Sequence, residues 1–182
     1  MLIEQTDLAQ LLVLTPRFFR DQRGFFTESY NKRAFAEAVG AEVDFVQDNH
    51  SRSTRGVLRG LHYQLPPSAQ GKLMRVIAGE IFDVAVDLRR ASSTFGRWFG
   101  IVLSAEKGNQ LWIPPGFAHG FLTLSDTADV LYKTSDYYDP VCERSIVWND
   151  PDIGIDWKLE GEPILSGKDA AAPALSAADL FP

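Results

Sequence analysis

The sequence predicts an all-β fold, a barrel or two-sheet roll with short flanking helices. Short apolar segments recur along the chain between Gly, Pro and polar turns, a pattern typical of barrels and sandwiches. The 12 Phe, 5 Tyr and 4 Trp residues belong to the types that strands favour. With 182 residues, of which 45% are hydrophobic, the chain suits one domain with a sizeable core. We therefore expect a single domain over residues 1–182.

Strands are predicted wherever apolar residues run or alternate between two turn signals. In chain order they are Leu11–Leu14, Phe25–Tyr30, Phe45–Ser53, Gly56–Gln64, Lys72–Ala78, Glu80–Asp87, Phe95–Leu103, Leu111–Ile113, His119–Leu124 and Val130–Ser135. The clearest alternation lies in Glu80–Asp87, where Asp83 shares one face with Ile81 and Ala85. That alternation, with Phe82, Val84 and Val86 on the other face, is typical of a β-strand.

One helix is predicted early in the chain and one late. Asn31 can cap a helix over Lys32–Val39, and Gly40 is a typical helix stop. After residue 136 the pattern loosens, which predicts an irregular C-terminal segment over residues 137–182. Within it, the alanine-rich stretch Ala170–Ala178 predicts a weak terminal helix.

Charge and cysteine content exclude several classes of function. A net charge of −6 argues against general nucleic-acid binding, which needs a basic face. The single cysteine, Cys142, allows no intrachain disulfide and no Cys-based metal site. The N-terminus is unlike a signal peptide, and no apolar run is long enough to span a membrane. We expect a cytoplasmic enzyme or binding domain.

Two segments carry the strongest motif signal. Gly108–His119 has the spacing of the second sequence motif of the cupins, small β-barrels that often hold a metal on three histidines and a glutamate. Gly56–Gln64 resembles the first cupin motif only in part. Gly56 and His62 have the right spacing, but Gln64 stands where the second histidine should be, and no glutamate follows closely. The sequence therefore predicts a cupin-type barrel with a broken metal site.

Three cationic or basic side chains lie close together around the first motif: Arg59, His62 and Lys72. In an acidic protein such a cluster suits an anion such as a diphosphate, to which arginine offers bidentate contacts and lysine a point charge. Strict strand alternation places Arg59 and His62 on opposite faces. If both serve one pocket, Gly60 must allow a bulge or bend.

Other polar residues have ordinary interpretations when judged from their neighbours alone. His50 is expected to be a hydrogen-bonded interior histidine. Tyr132 lies in an apolar strand and is typical of core tyrosines with a satisfied hydroxyl. Asp169 precedes an alanine run and is typical of a helix cap.

Several motifs, in order and spacing, resemble those of the dTDP-4-dehydrorhamnose 3,5-epimerase family. They are Arg23–Glu28, Gln47–Asn49, Arg59–Gln64, Gly71–Lys72, Ile113–Phe121 and Ser166–Asp169. The resemblance extends from about residue 12 to residue 169, nearly the whole chain. It implies a metal-free jelly-roll β-barrel of the cupin type that acts without a cofactor on a dTDP-4-keto-6-deoxy sugar.

The resemblance also implies roles for individual residues. His62 would be the catalytic base, oriented by Asp169, and Tyr132 the proton donor. Tyr138 would stack on the thymine. The remaining substrate contacts implied are Arg23, Glu28, Gln47, Asp48, Asn49, Arg59, Lys72, His119, Glu143 and Lys168. A homodimer is implied as well, with the N-terminal segment 1–40 exchanged so that its residues reach the neighbouring pocket.

Three alternatives stay open at this point. The first is a metal-dependent cupin, such as a dioxygenase or a phosphosugar isomerase. The second is a barrel that binds sugar nucleotides without turnover. The third is an epimerase that inverts only C3 or only C5, because one base can serve both carbons.

Overall fold

The computed structural model describes residues 1–182 and consists mainly of antiparallel strands. The strands are β1 (Leu2–Gln5), β2 (Leu12–Thr15), β3 (Phe18–Asp21), β4 (Gly24–Thr27), β5 (Gln47–Thr54), β6 (Leu58–Gln64), β7 (Lys72–Ala78), β8 (Glu80–Asp87), β9 (Trp98–Ser104), β10 (Gln110–Ile113), β11 (Phe117–Thr123), β12 (Thr127–Thr134) and β13 (Glu143–Ser145). Two short helices, α1 (Lys32–Val39) and α2 (Gly167–Ala170), and a 3₁₀ turn at Leu175–Ala177 complete the chain. No helix is long and apolar enough to cross a membrane.

The strands form two packed sheets and one hairpin. One sheet has six strands in the order β1-β2-β10-β7-β12-β5, and the other has five in the order β13-β6-β11-β8-β9. The strands β3 and β4 form a separate two-stranded hairpin. This two-layer antiparallel arrangement is the jelly-roll barrel that the sequence predicts.

Apolar side chains fill three layers. Met74 and Val130 of the six-stranded sheet meet Ala85 and Phe121 of the five-stranded sheet inside the barrel. The outer face of the five-stranded sheet is covered by the C-terminal segment through buried residues such as Trp157. The outer face of the six-stranded sheet is partly covered by α1 through Phe35, Leu73 and Trp112. The central strands β8 and β11 of the five-stranded sheet are therefore buried on both faces along nearly their whole length.

Most of the predicted elements are present, with shifted ends. The helix Lys32–Val39 has the predicted bounds: the side chain of Asn31 accepts a hydrogen bond from Ala34 N, and Gly40 adopts a left-handed φ of 76°. The helix predicted at Ala170–Ala178 is wrong. Helix α2 lies earlier because Ser166 caps it at the Asp169 N–H, and only the 3₁₀ turn follows. Strand β9 starts at Trp98 rather than at Phe95, and neither β1 nor β13 is predicted by the sequence.

A bulge at Gly60 brings Arg59 and His62 to the same face of β6, as the sequence requires if both serve one pocket. Opposite them on β11, His119 pairs with His62 and Phe121 pairs with Arg59, so three steps on β6 match two on β11. Gly60 has a φ of +130°, and a Cβ there would lie 2.5 Å from the Cα of Gly120. Only glycine accepts this conformation and this close approach.

Candidate active site

A polar cavity of about 190 Å³ opens at one end of the barrel. Its lining includes Gln47, Asn49 and Tyr132 from β5 and β12, Lys72 from β7, His62 and Gln64 from β6, and Tyr138 and Glu143 from the segment around β13. The two sheets therefore both contribute side chains to one space. Seven of the predicted site residues line this cavity: Gln47, Asn49, His62, Lys72, Tyr132, Tyr138 and Glu143.

His62 forms a hydrogen-bonded pair with Asp169. Its Nε2 lies 2.5 Å from Asp169 Oδ1, and Asp169 is buried while His62 is partly open to the cavity. Burial raises the pKa of the Asp169 carboxyl, but hydrogen bonds from His62, Ser166 and the Gly60 backbone outweigh burial and hold that pKa below its usual range. An ionised carboxylate can only accept, so the proton of neutral His62 lies on Nε2. Nδ1 is then left as the basic nitrogen.

Tyr132 lies across the cavity from His62, on the opposite sheet. It is paired with Asn49 of β5 and Met74 of β7, and its hydroxyl makes no hydrogen bond within the chain. Burial raises the pKa of its phenol above the usual range, although the charge of Arg59 opposes the shift. Tyr132 therefore keeps its proton at neutral pH and has it available for a ligand, unlike an ordinary core tyrosine.

Lys72 is the cationic group deepest in the cavity. Burial lowers the pKa of its ammonium to about 8, while the negative charges of Asp83 and Glu143 oppose that shift. Its Nζ lies 3.5 Å from the backbone carbonyl of His62 and forms no ion pair. A charged, unpaired ammonium beside the base is suited to stabilising an oxyanion.

His119 lies beside His62 but in a different environment. The two residues are paired across β6 and β11, and His119 Nε2 lies 3.0 Å from both carboxyl oxygens of Asp83. The side chain of Asp83 is fully buried and that of His119 nearly so. Asp83 is not among the site residues predicted from the sequence, although the alternation of Glu80–Asp87 places it on one face with Ile81 and Ala85.

The rim of the cavity is a charged and aromatic network. Lys168 Nζ lies 2.5 Å from Glu143 Oε1, and the Tyr138 hydroxyl donates to Glu143 Oε2 at 2.9 Å. Burial raises the pKa of Glu143, but these two hydrogen bonds bring it below its usual range. Gln47 accepts from the Tyr138 backbone N–H at 3.1 Å. Tyr138 itself is exposed, with its ring free for stacking.

The remaining residues of β5 and β6 either face the cavity or point away from it. Arg59 donates to the Ser53 hydroxyl at 3.1 Å and faces the cavity side of β5 with Asn49. Asp48 points to the outer face, where Lys133 Nζ lies 2.9 Å from its carboxylate. His50 shares that outer face with half of its side chain exposed, bonded to Asp129. The expectation of an interior His50 is therefore wrong, since it lies on an outward position of an edge strand.

Arg23 and Glu28 lie away from the cavity of their own chain. Arg23 is on the β3–β4 hairpin and pairs with Asp21, and Glu28 lines a separate cleft beside α1. Three phenylalanines of this hairpin, Phe19, Phe25 and Phe26, are at least half exposed. No three His, Cys, Asp or Glu side chains converge in a way that could hold a metal ion.

The fold and the site together define a cupin-type barrel in which a histidine and a tyrosine from opposite sheets face one polar cavity. The model of the dTDP-4-dehydrorhamnose 3,5-epimerase family matches residues 5–177. The chain belongs to this family. It is 61% identical to the enzyme of that name from Pseudomonas aeruginosa, over 96% of each chain.

Solved structures agree with this assignment. A dTDP-6-deoxy-D-glucose-3,5-epimerase from Legionella pneumophila, in complex with dTDP-4-keto-L-rhamnose, superposes with a TM-score of 0.95 at 51% identity. That match covers 98% of this chain and 96% of the Legionella chain. A 3′-monoepimerase from Streptomyces bikiniensis matches with a TM-score of 0.88 at 36% identity, over 94% of this chain and 86% of the other.

Proposed function

We propose that this protein inverts C3 and C5 of dTDP-4-dehydro-6-deoxy-D-glucose and so forms dTDP-4-dehydro-L-rhamnose. The observation that carries the proposal is the placement of His62 and Tyr132 on opposite sheets around one cavity. An inversion needs a base on one face of the sugar and an acid on the other, and this cavity offers both. Higher identity to the 3,5-epimerases than to the monoepimerase supports inversion at both carbons.

The first step is removal of a proton beside the C4 ketone. The carbonyl acidifies the hydrogens on C3 and C5, and Nδ1 of His62 takes one of them as the C–H electron pair moves into the enolate. Asp169 holds the imidazole in the required tautomer and stabilises the imidazolium that forms. The enolate oxygen gains negative charge, which the ammonium of Lys72 stabilises.

The second step returns a proton from the opposite face. The enolate carbon takes the phenolic proton of Tyr132, the ketone re-forms, and the centre is inverted. The tyrosinate is reprotonated and the imidazolium deprotonated by solvent, so protons balance over the cycle. The same pair then serves the second carbon, and the chemistry calls for no redox step.

The rest of the site would hold the nucleotide. Arg59 and Lys168 offer cationic groups for the diphosphate, with His119, Gln47 and Asn49 as further polar contacts. Tyr138 would stack its exposed ring on the thymine, fixed through Glu143. Asp48 would contribute through its backbone, because its side chain faces outward.

Arg23 and Glu28 would complete the pocket of a second chain in a homodimer. The exposed phenylalanines of their hairpin support this exchange, because apolar patches of this kind mark interfaces. The test mixes two inactive variants, Arg23→Ala and His62→Asn. Exchange predicts recovery of activity, because one of the two pockets in a mixed dimer has neither defect. No recovery from a mixture that forms mixed dimers would contradict it.

A cytoplasmic location is part of the proposal, in keeping with a chain that has one cysteine and so no framework of disulfides of the kind frequent in small secreted domains. The whole assignment is tested by proton NMR of the product formed from dTDP-4-keto-6-deoxyglucose in heavy water. Deuterium and inverted configuration at both C3 and C5 are expected. Inversion at one carbon alone would instead establish a monoepimerase, and no exchange at either would leave only a binding protein.

Retention of the full rate after chelator treatment is expected, and loss of activity restored by a divalent ion would point to the metal-dependent alternative.

A further inference from the structure

Gln64 is the residue that stands in place of a metal-binding histidine in the first cupin motif. Its side chain is buried, with 4% of the residue exposed, and its amide forms hydrogen bonds only with backbone groups. Nε2 donates to the carbonyls of Ser68 at 2.6 Å and Tyr137 at 3.1 Å. Oε1 accepts from the Asp139 N–H at 3.0 Å. The amide thus satisfies three backbone groups with one donor atom and one acceptor atom.

Two of these three contacts lie on either side of Tyr138. The carbonyl before it and the N–H after it are bound by Gln64, while its own N–H donates to Gln47 Oε1 at 3.1 Å. The backbone of Tyr138 is therefore held on consecutive peptide groups. Tyr138 as a residue remains 55% exposed, and its side chain makes its polar contact only at the hydroxyl, with Glu143.

The hydrogen bonds around Gln64 also join two loops. Ser68, whose carbonyl Gln64 binds, donates its hydroxyl to Asp139 at 3.1 Å. Gln70 donates to the carbonyl of Asp136, and Gly71 N–H to the Ser135 hydroxyl. Gln64 lies at the centre of this network, where loss of its amide would leave three backbone groups without their partners. The loop would then move to recover these hydrogen bonds.

We propose that Gln64 is a positioning residue for nucleotide recognition: it fixes the Tyr138 loop so that the ring is already in place to stack on the base. The proposal rests on the stacking role given to Tyr138 under the proposed function. A side chain that must be ordered on binding lowers affinity, and a preorganised one avoids this cost. Gln64 would therefore affect binding of the nucleotide and leave proton transfer at His62 nearly unchanged.

The chemistry of the three contacts explains why glutamine is needed. Two acceptors and one donor surround the side chain, so it must offer N–H groups and a carbonyl together. A glutamate of the same shape keeps the contact to Asp139 but sets a carboxylate against two carbonyls. A methionine of similar length makes none of the three.

The test is a double-mutant cycle on the dissociation constant of dTDP, measured by calorimetry, with Gln64→Met and Tyr138→Ala. We expect Gln64→Met to weaken dTDP binding about tenfold in the natural background and less than about twofold when Tyr138 is already alanine. Steady-state kinetics should show KM raised about tenfold with kcat within about twofold. KM does not depend on how much of the enzyme is folded, so partial unfolding cannot imitate this split.

Gln64→Glu provides a second variant if Gln64→Met fails to fold, with the same coupling expected. Asn109→Leu is the matched control. Asn109 is also a buried amide that bridges backbone groups, donating to Val102 and accepting from Ser104, but it precedes β10 at the end remote from Lys72. It should lower thermal stability and leave the dTDP dissociation constant unchanged.

The outcomes distinguish a failure of the positioning role of Gln64 from a failure of the stacking role of Tyr138. If Tyr138→Ala weakens dTDP binding and Gln64→Met has the same effect in both backgrounds, the stacking role holds and the positioning role is overturned. An unchanged KM in both Gln64 variants overturns it too. If Tyr138→Ala leaves dTDP binding unchanged, the stacking contact itself fails, and the inference fails with it.

Discussion

Two histidine–aspartate pairs lie side by side in the barrel and differ in how far the histidine is open to the cavity. In the pair of His62 and Asp169 the histidine side chain is 31% exposed, and in the pair of His119 and Asp83 it is 8% exposed. Asp169 arrives from the C-terminal segment, whereas Asp83 lies on β8, the strand next to β11. The same pair of residue types is therefore built once at the cavity surface and once inside the sheet.

The difference shows how environment assigns a role. An imidazole open to the cavity can take a proton from a ligand and pass it to solvent. A buried imidazole held by both oxygens of one carboxylate has no such route, and its carboxylate instead adds negative charge near Lys72. We infer that the first pair moves protons and that the second sets the charge and shape of the cavity floor.

Removal of the accessible base should have the largest effect. His62→Asn is expected to lower kcat about 10⁴-fold and to abolish exchange at both C3 and C5, because one base serves both carbons. The measurement is deuterium incorporation by NMR. His50→Asn is the matched control, since His50 also pairs with an aspartate but on the outer face, and it should keep the natural rate. Residual exchange at either carbon in the His62 variant would require a second base.

Asp169→Asn should have a smaller effect on the same pair. The amide removes orientation and charge from His62 but leaves the imidazole in place, so we expect a loss of about 100-fold in kcat. KM for the sugar nucleotide should change little, because Asp169 is buried behind His62. A loss as large as that of His62→Asn would contradict this order and would mean that His62 does not act as a base without the Asp169 carboxylate.

The buried pair of His119 and Asp83 should act through Lys72, and its effect should be visible in the pH dependence of kcat/KM. In the proposed mechanism Lys72 stabilises the enolate only when protonated, and its pKa of about 8 predicts that kcat/KM falls as pH rises through about 8. Asp83 opposes the lowering of that pKa, so Asp83→Asn should move this alkaline limb to lower pH. Lys72→Met should remove the limb together with most of the rate. A limb that stays at the same pH in Asp83→Asn would contradict the role of Asp83.

Much of this comparison could be predicted from sequence, and the rest depends on long-range packing. The alternation of β8 and the spacing of Gly56 and His62 define the barrel and one base. Judged from its neighbours alone, Asp169 looks like a helix cap, because its partner His62 lies 107 positions away in the sequence. Tyr132 looks like a core residue, because the group that gives it a role lies across the cavity. The shifted C-terminal helix has the same cause, since the cap at Ser166 and the contact to His62 override the helix propensity of the alanines.

The central claim is that His62 removes a proton on one face and Tyr132 returns one on the other. Tyr132→Phe tests it most directly, in heavy water, by comparing deuterium exchange into C3 and C5 of recovered substrate with inversion at those carbons in the same sample. The account predicts that exchange continues in part while inversion falls much further, because the enolate is reprotonated from the His62 side with retention. Lower stability would reduce both rates together, so the ratio is independent of it. An unchanged ratio of exchange to inversion would remove Tyr132 from the mechanism.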